Sequence, residues 1–292
     1  MEALGYEMRC RKPIMLQTVG LVPCGQCIAC RLNYARQWSI RLMDEAKMYD
    51  KTCFLTLTYD EEHLPADKSI HKVEVQNFMK RLRQAIEPVK VRYFASGEYG
   101  EHYARPHYHL ALFGLDVTSS LFKDKVYNAN RRVWTARMDE WKNGFVAVGN
   151  LTVDSANYIA GYMLKKVKGK DAKQHYIDLG IEPEFALMSR RPGIGGAYLD
   201  VQGQHLKDVD FCVCKEKRHP LPRYYRNKLF TKEERDFIQS QKRAKEYDQW
   251  LADRINGVKQ EYLTPEQEQE RRKQFERNFN ARRQFTEKPL NG

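Results

Sequence analysis

The stretch Arg105-Pro106-His107-Tyr108-His109-Leu110-Ala111-Leu112-Phe113 decides how the chain is read. Aromatic and aliphatic residues dominate it. Pro106 stands at its start, where a missing N–H is tolerated, so the stretch reads as one short buried strand. Side chains alternate across a strand. His107, His109, Ala111 and Phe113 therefore share one face, and Tyr108, Leu110 and Leu112 share the other, the expected core face. Two imidazoles on one face can converge on one divalent cation. For an isolated His-x-His the commoner reading is a pair of half-buried histidines, and it is the neighbouring segments that weigh against it.

Upstream, Val91-Arg92-Tyr93-Phe94-Ala95-Ser96-Gly97-Glu98-Tyr99-Gly100 reads as a strand ending in a turn, and the short connection to Arg105 suggests a hairpin. Glu98 can then sit beside the histidines and offer an oxygen, with Glu101 as the substitute; either could equally be a solvated turn residue. Two histidines and a carboxylate leave open positions on an octahedral ion such as Mn²⁺ or Mg²⁺. Downstream, Asp154-Ser155-Ala156-Asn157-Tyr158-Ile159-Ala160-Gly161-Tyr162 has helical composition, with Asp154 the expected N-cap. Tyr158 and Tyr162 are four apart and share a helical face. Lys165 and Lys166 follow within a turn. Such a tyrosine pair is usually core packing; beside a metal-binding strand and basic residues it becomes a candidate pair of nucleophiles.

The chain has 292 residues, enough for one large domain with an appendage, and 42% of them are hydrophobic, enough for a core. Its net charge of +12 favours a polyanionic partner. The 17 tyrosines suit stacking on unpaired bases as well as ordinary packing. No run approaches the ~18–20 apolar residues of a membrane span, and the N-terminus lacks an apolar signal-peptide core. The expectation is an intracellular protein with no membrane partner. Its seven cysteines are then thiols or metal ligands rather than a disulfide framework.

Residues 1–27 read as irregular, with Pro13, Pro23 and Gly25 as breakers. Cys10, Cys24, Cys27 and Cys30 offer four ligands for a structural Zn²⁺. The absence of a second Cys-x-x-Cys pair favours buried free thiols instead. Ala29 to Tyr49 reads as an amphipathic helix whose Arg31, Arg36 and Arg41 either meet phosphates or form a solvated face. Thr52 to Tyr59 is a strand with Phe54, Thr56 and Thr58 on one side, where the threonines can line the histidine site. Val73 to Glu87 is a second helix on a Phe78, Leu82, Ile86 stripe. Asp116 to Asn143 reads as an insertion with a short helix, its Trp134, Met138 and Trp141 turned inward. Phe145 to Leu151 is a fourth strand.

This order suits an α+β class, an antiparallel central sheet with flanking helices and a helical C-terminal appendage. Past the tyrosines, Arg190 and Arg191 stand beside a glycine-bearing loop, and Arg223 and Arg226 lie among Tyr224 and Tyr225; both are candidate DNA contacts. The expected boundaries are 1–51 for the cysteine-bearing segment and first helix, 52–230 for the domain with its basic extension, and 231–292 for the charged helical appendage.

These residues carry a resemblance. His107-Tyr108-His109 resembles the His-hydrophobic-His motif of HUH endonucleases, and Phe54-Leu55-Thr56-Leu57-Thr58-Tyr59 resembles their first motif. Tyr158-x-x-x-Tyr162-x-x-Lys165 resembles the two-tyrosine motif of rolling-circle initiators. The set is similar to the replication initiators of microviruses, in particular the gokushovirus branch, as are Cys24-Gly25-Gln26-Cys27-Ile28-Ala29-Cys30-Arg31 and Ser189-Arg190-Arg191-Pro192-Gly193-Ile194-Gly195. The resemblance covers roughly residues 10 to 230.

It implies metal-dependent nicking of viral origin DNA, single-stranded or nicked duplex, in the cytoplasm of a bacterial host. His107, His109 and Glu98 would hold Mg²⁺ or Mn²⁺, Tyr158 and Tyr162 would attack, and Lys165 would stabilise phosphate charge. Lys166, Arg190, Arg191, Arg223 and Arg226 would bind DNA. The host replication helicase and polymerase are the implied partners. The rival readings are a non-catalytic single-stranded nucleic-acid-binding protein and a metal-dependent nuclease that uses water.

Overall fold

The histidine strand lies inside a seven-stranded antiparallel sheet. The computed structural model describes residues 10, 13–17, 20–100, 105–162, 172–256, 270 and 274. In chain order, strands β1 (Ile14–Leu16) and β2 (Gly20–Val22) precede helix α1 (Ile28–Ala46), strand β3 (Thr52–Tyr59) and helix α2 (Lys72–Ala85). Then come β4 (Arg92–Tyr99), β5 (Pro106–Phe113), β6 (Lys123–Asn128), β7 (Val133–Arg137) and β8 (Gly144–Gly149). Helices α3 (Val153–Tyr162) and α4 (Ala172–Leu179), strand β9 (Phe185–Met188) and helix α5 (Gly196–Val209) follow. Strands β10 (Phe211–Cys214) and β11 (Lys217–Pro220) form a second small hairpin before helices α6 (Arg223–Leu229) and α7 (Lys232–Ile255).

The large sheet runs β6-β7-β8-β3-β5-β4-β9. The α+β class expected from sequence is the class observed. The chain divides into two compact units, Met1–Tyr225 and Arg226–Gly292, and the sheet belongs to the first. In the second, α7 opens on a reciprocal cap. The Thr231 N–H donates to Glu234 Oε2 at 2.7 Å, and the Glu234 N–H donates to Thr231 Oγ1 at 3.2 Å. Among the described residues, no helix is long and apolar enough to cross a membrane.

Both faces of the sheet are buried, where one core face was expected. Cys53, Leu55, Leu57, Tyr108, Leu110 and Leu112 pack with Val75, Phe78, Met79 and Leu82 of α2. On the opposite face Phe54, Phe94, Ala111 and Phe113 pack with Trp38 and Leu42 of α1 and with Ala156, Ile159 and Ala160 of α3. The reason lies in β5 itself: beyond His109 its run Leu-Ala-Leu-Phe is apolar on both sides, the pattern of a strand covered above and below.

Three local expectations need correction. The N-terminal segment is not irregular throughout: Ile14, Met15 and Leu16 pair with Val22, Leu21 and Gly20, and Pro13 and Pro23 flank this hairpin rather than interrupt it. The insertion holds strands β6 and β7 instead of a short helix, because Val126-Tyr127 and Val133-Trp134-Thr135 are β-branched and aromatic and extend the sheet beside β8. Met138 and Trp141 are buried as read. Asp154 is not the N-cap of α3. It sits in the first turn and pairs with Lys215, while Thr152 and Ser155 exchange hydrogen bonds at the helix start.

Candidate active site

Strands β3, β5 and β4 align the site by register. His107 stands between Thr58 and Glu98, and His109 between Thr56 and Ser96. Directly opposed residues project to the same side of a sheet, so all six line one face. The two imidazoles are near-parallel, with centroids 6.4 Å apart. His109 Nε2 lies 3.1 Å from Glu98 Oε1, and both side chains are almost fully buried, His109 at 2% and Glu98 at 3% exposure. On its other side, His109 Nδ1 lies 3.0 Å from Thr56 Oγ1. A hydroxyl both donates and accepts, so Thr56 can hold this ring in either tautomer.

His107 is fixed differently. Its Nδ1 lies 2.6 Å from the Arg105 carbonyl, which can only accept, so Nδ1 carries the proton and Nε2 keeps its lone pair. Burial, and then the neighbouring His109, hold the His107 pKa below the ordinary histidine range. A neutral imidazole is the form that ligates a cation. The residue before Glu98 has its own constraint: a Cβ on Gly97 would lie 2.7 Å from the Phe185 ring of β9, so only glycine lets β9 dock here.

Helix α3 crosses this face. Ala156, Ile159 and Ala160 anchor it in the core, while Tyr158 stands on its more open side at 36% exposure. The Tyr158 ring meets His109 edge-on at 5.2 Å and Phe54 edge-on at 6.0 Å. Phe54 stacks on His109 at 5.9 Å and 11°, so the imidazole is bounded by two aromatic rings. The sequence reading missed Arg131, in the connection between β6 and β7. Its guanidinium interacts electrostatically with the Tyr158 phenol, which opposes the lowering of its pKa by burial. Tyr162 ends α3 four residues beyond Tyr158. Its side chain, together with Glu101, Lys165 and Lys166, lies outside the described residues.

The arginine candidates are not gathered at the histidines. Ser189, which follows β9, donates its N–H to the Tyr93 carbonyl at 3.0 Å. The exposed Arg190 and Arg191 thus sit at the far end of β4 from Glu98, roughly 17 Å away at about 3.3 Å per strand residue. Arg92 clamps their loop, donating at 2.6 Å to Glu45, at 3.3 Å to the Arg191 carbonyl and at 2.7 Å to the Pro192 carbonyl. The second Glu45 oxygen accepts the Gly195 N–H at 2.6 Å. Arg223 is exposed at the start of α6, where its N–H donates to Gln37 Oε1 at 2.9 Å. Arg226 begins the second unit. Arg41 is occupied in packing: it lies between Trp38 and Tyr224, 4.0 and 4.1 Å from their centroids, and donates to the Ile194 carbonyl at 3.0 Å.

The N-terminal cysteines do converge. The sulfurs of Cys10, Cys24, Cys27 and Cys30 all lie within 4.8 Å of one another, a cluster able to bind a metal such as zinc. Dispersed buried thiols, the reading that spacing favours, are not what the fold forms, because spacing alone does not bring Cys10 to the other three.

An antiparallel sheet that presents paired histidines and a buried carboxylate beneath a tyrosine-bearing helix has relatives among phage replication proteins. Residues 52–167, from β3 through α3, match the family described as replication-associated protein ORF2. The chain is 32% identical over 216 residues to replication-associated protein VP4 of Bdellovibrio phage phiMH2K, covering 70% of this chain and 66% of that one. It is 33% identical over 225 residues to replication-associated protein ORF2 of Spiroplasma virus 4, covering 71% and 67% respectively. With replication-associated protein ORF4 of Chlamydia phage 1 it shares 29% identity over 153 residues, 50% of this chain and 38% of that one. The chain therefore spans about two thirds of the length of the first two relatives. No solved structure matches it. The chain belongs to this family of phage replication-associated proteins, the microvirus type of replication initiator.

Proposed function

We propose that the chain is a rolling-circle initiator that cuts and rejoins viral origin DNA through tyrosine attack on a phosphodiester. One observation carries the reading: the Tyr158 ring rests 5.2 Å from His109, on the face where His107, His109 and Glu98 converge. That donor set, two neutral imidazoles and one carboxylate, fits Mg²⁺ or Mn²⁺, with positions left for a phosphate. When bound, such an ion polarises the scissile phosphate and offsets charge that builds in the transition state.

The chain's own residues supply the rest. Thr56 and the Arg105 carbonyl fix the two rings. A phenol with an ordinary pKa of about 10 needs help to attack at neutral pH, and the Arg131 guanidinium favours its ionised form. The Tyr158 oxygen forms a bond to phosphorus and releases its proton. The bond from phosphorus to the 3′ oxygen breaks, leaving a 5′-phosphotyrosine and a free 3′-OH that the host polymerase extends once the host helicase opens the duplex. Tyr162, on the same helical face, takes the second transfer that closes the circle. Lys165 steadies phosphate charge. Lys166, Arg190, Arg191, Arg223 and Arg226 hold the DNA backbone, which is consistent with the +12 charge. The bacterial host cytoplasm is where this chemistry would take place.

The test is an incubation of labelled single-stranded origin DNA with Mn²⁺ or Mg²⁺, followed by denaturing electrophoresis. The wild-type chain should carry a covalent DNA adduct. Tyr158→Phe and Tyr162→Phe should each block a different transfer, and the double variant should form no adduct. An adduct that survives in the double variant overturns the proposal. Cut DNA without an adduct would indicate a water-using nuclease, and bound but uncut DNA a non-catalytic binding protein.

A further inference from the structure

The four clustered cysteines take no part in that chemistry. Their sulfurs lie within 4.8 Å of one another, and those of Cys10 and Cys27 are 3.9 Å apart. Four thiolates bound to a tetrahedral zinc at about 2.3 Å stand about 3.8 Å apart along the edges of the tetrahedron. No pair has to close by more than about 1 Å to reach that geometry.

Three further features favour thiolates at this place. In Cys24-Gly25-Gln26-Cys27, Gly25 adopts φ +71°, which turns the chain back so that both cysteines face inward. Backbone N–H groups are aimed at sulfur: Cys24 donates to Cys10 Sγ at 3.2 Å, and Gln26 and Cys27 donate to Cys24 Sγ at 3.5 and 3.3 Å. Donors of this kind stabilise the charged form of a ligand. Helix α1 also begins here. Cys27 is its N-cap, without a side-chain capping hydrogen bond, and Cys30 lies in its first turn, where the helix field favours anions.

We infer that Cys10, Cys24, Cys27 and Cys30 bind one Zn²⁺ as a closed structural site, separate from the cation proposed at the histidines. Four Zn–S bonds form, four thiol protons pass to solvent, and no oxidation state changes. An all-sulfur set selects zinc over Mg²⁺ or Mn²⁺. The ion would tie both ends of the β1–β2 hairpin to the start of α1, because Cys10 precedes β1 and Cys24 follows β2. Helix α1 in turn packs in one core with α3, which carries Tyr158.

The full chain, purified without chelator, should contain one equivalent of zinc by atomic emission. A mercurial reagent should release it in step with four thiols, as followed with a zinc-sensitive dye. Cys24→Ser with Cys27→Ser should lose the metal, whereas Cys214→Ser and His109→Ala should retain a full equivalent. Because loss of metal from the double serine variant could also follow from poor folding, the wild-type chain is also loaded with Co²⁺. Sulfur-to-cobalt charge transfer with the intense visible bands of tetrahedral coordination is the expected spectrum. Well under half an equivalent after refolding with zinc, an octahedral cobalt spectrum, or zinc that is lost in His109→Ala and kept in the cysteine variant would each overturn the assignment. Zinc content is read without DNA, so its failure and the failure of the nicking proposal are distinguishable.

Discussion

The two imidazoles are held by different partners, and substitutions should separate them. His107→Ala or His109→Ala should abolish adduct formation while single-strand binding, read by fluorescence anisotropy, persists. Thr56→Val keeps the β-branched shape but removes the oxygen 3.0 Å from His109 Nδ1. Loss of such a supporting contact to a metal ligand lowers activity or metal affinity about 10–100-fold, so adduct formation should slow by that factor with DNA affinity unchanged. Arg131→Ala should slow the first cut by about 100-fold, the scale of losing one charge-stabilising group. A cut by Arg131→Ala at the wild-type rate would remove that residue from the site. His107, His109, Glu98 and Tyr158 could be placed on a common face from sequence, because strand and helix periods are local. Arg131 could not. Only the pairing of β6 and β7 beside β8 brings it to Tyr158, and no spacing in the chain encodes that proximity.

Among the elements, the connection from β9 to α5 depends on one buried ion pair. Arg92 lies 2.6 Å from Glu45, whose side chain has no exposed surface. Arg92→Ala would strand that carboxylate beside the Gly195 N–H alone, and should lower stability by about 3–5 kcal/mol in urea denaturation. Gly97→Ala sets a Cβ 2.7 Å from Phe185 and should cost about 1–3 kcal/mol by overpacking. Strands β3, β4, β5 and β8 and helices α1 to α3 were legible because each carries its own periodicity or turn boundary. Strands β6, β7 and β9 were not: the first two read as an insertion, and β9 has four residues that become a strand only by pairing with β4. The Arg92–Glu45 pair joins residues 47 apart and has no sequence signal.

For the whole molecule, the net charge of +12 predicts DNA affinity that falls steeply with salt. Replacing Arg190 and Arg191 together should weaken binding across sequences. If both meet phosphates on single strands, the slope of log affinity against log salt should fall by about 1.4. Because these residues sit at the opposite end of β4 from Glu98, the rate of adduct formation at saturating DNA should be unchanged. A slope identical to wild type would leave the pair a structural part of the loop. The basic character was legible from composition, but its division into a histidine end and an arginine end of one sheet was not.

Strand β5 has a partner along each edge, β3 from Thr52 to Thr58 and β4 from Arg92 to Tyr99. The residues that would meet the cation therefore sit on the least frayable backbone of the domain. In deuterated water, the amides of His107 through Phe113 that bond across these ladders should be among the last to exchange, following global opening rather than local breathing. The cation-binding half of the site would then keep its shape through every cut and transfer, like the fixed jaw of a vice, so that any adjustment between successive strand transfers falls to the helix above it.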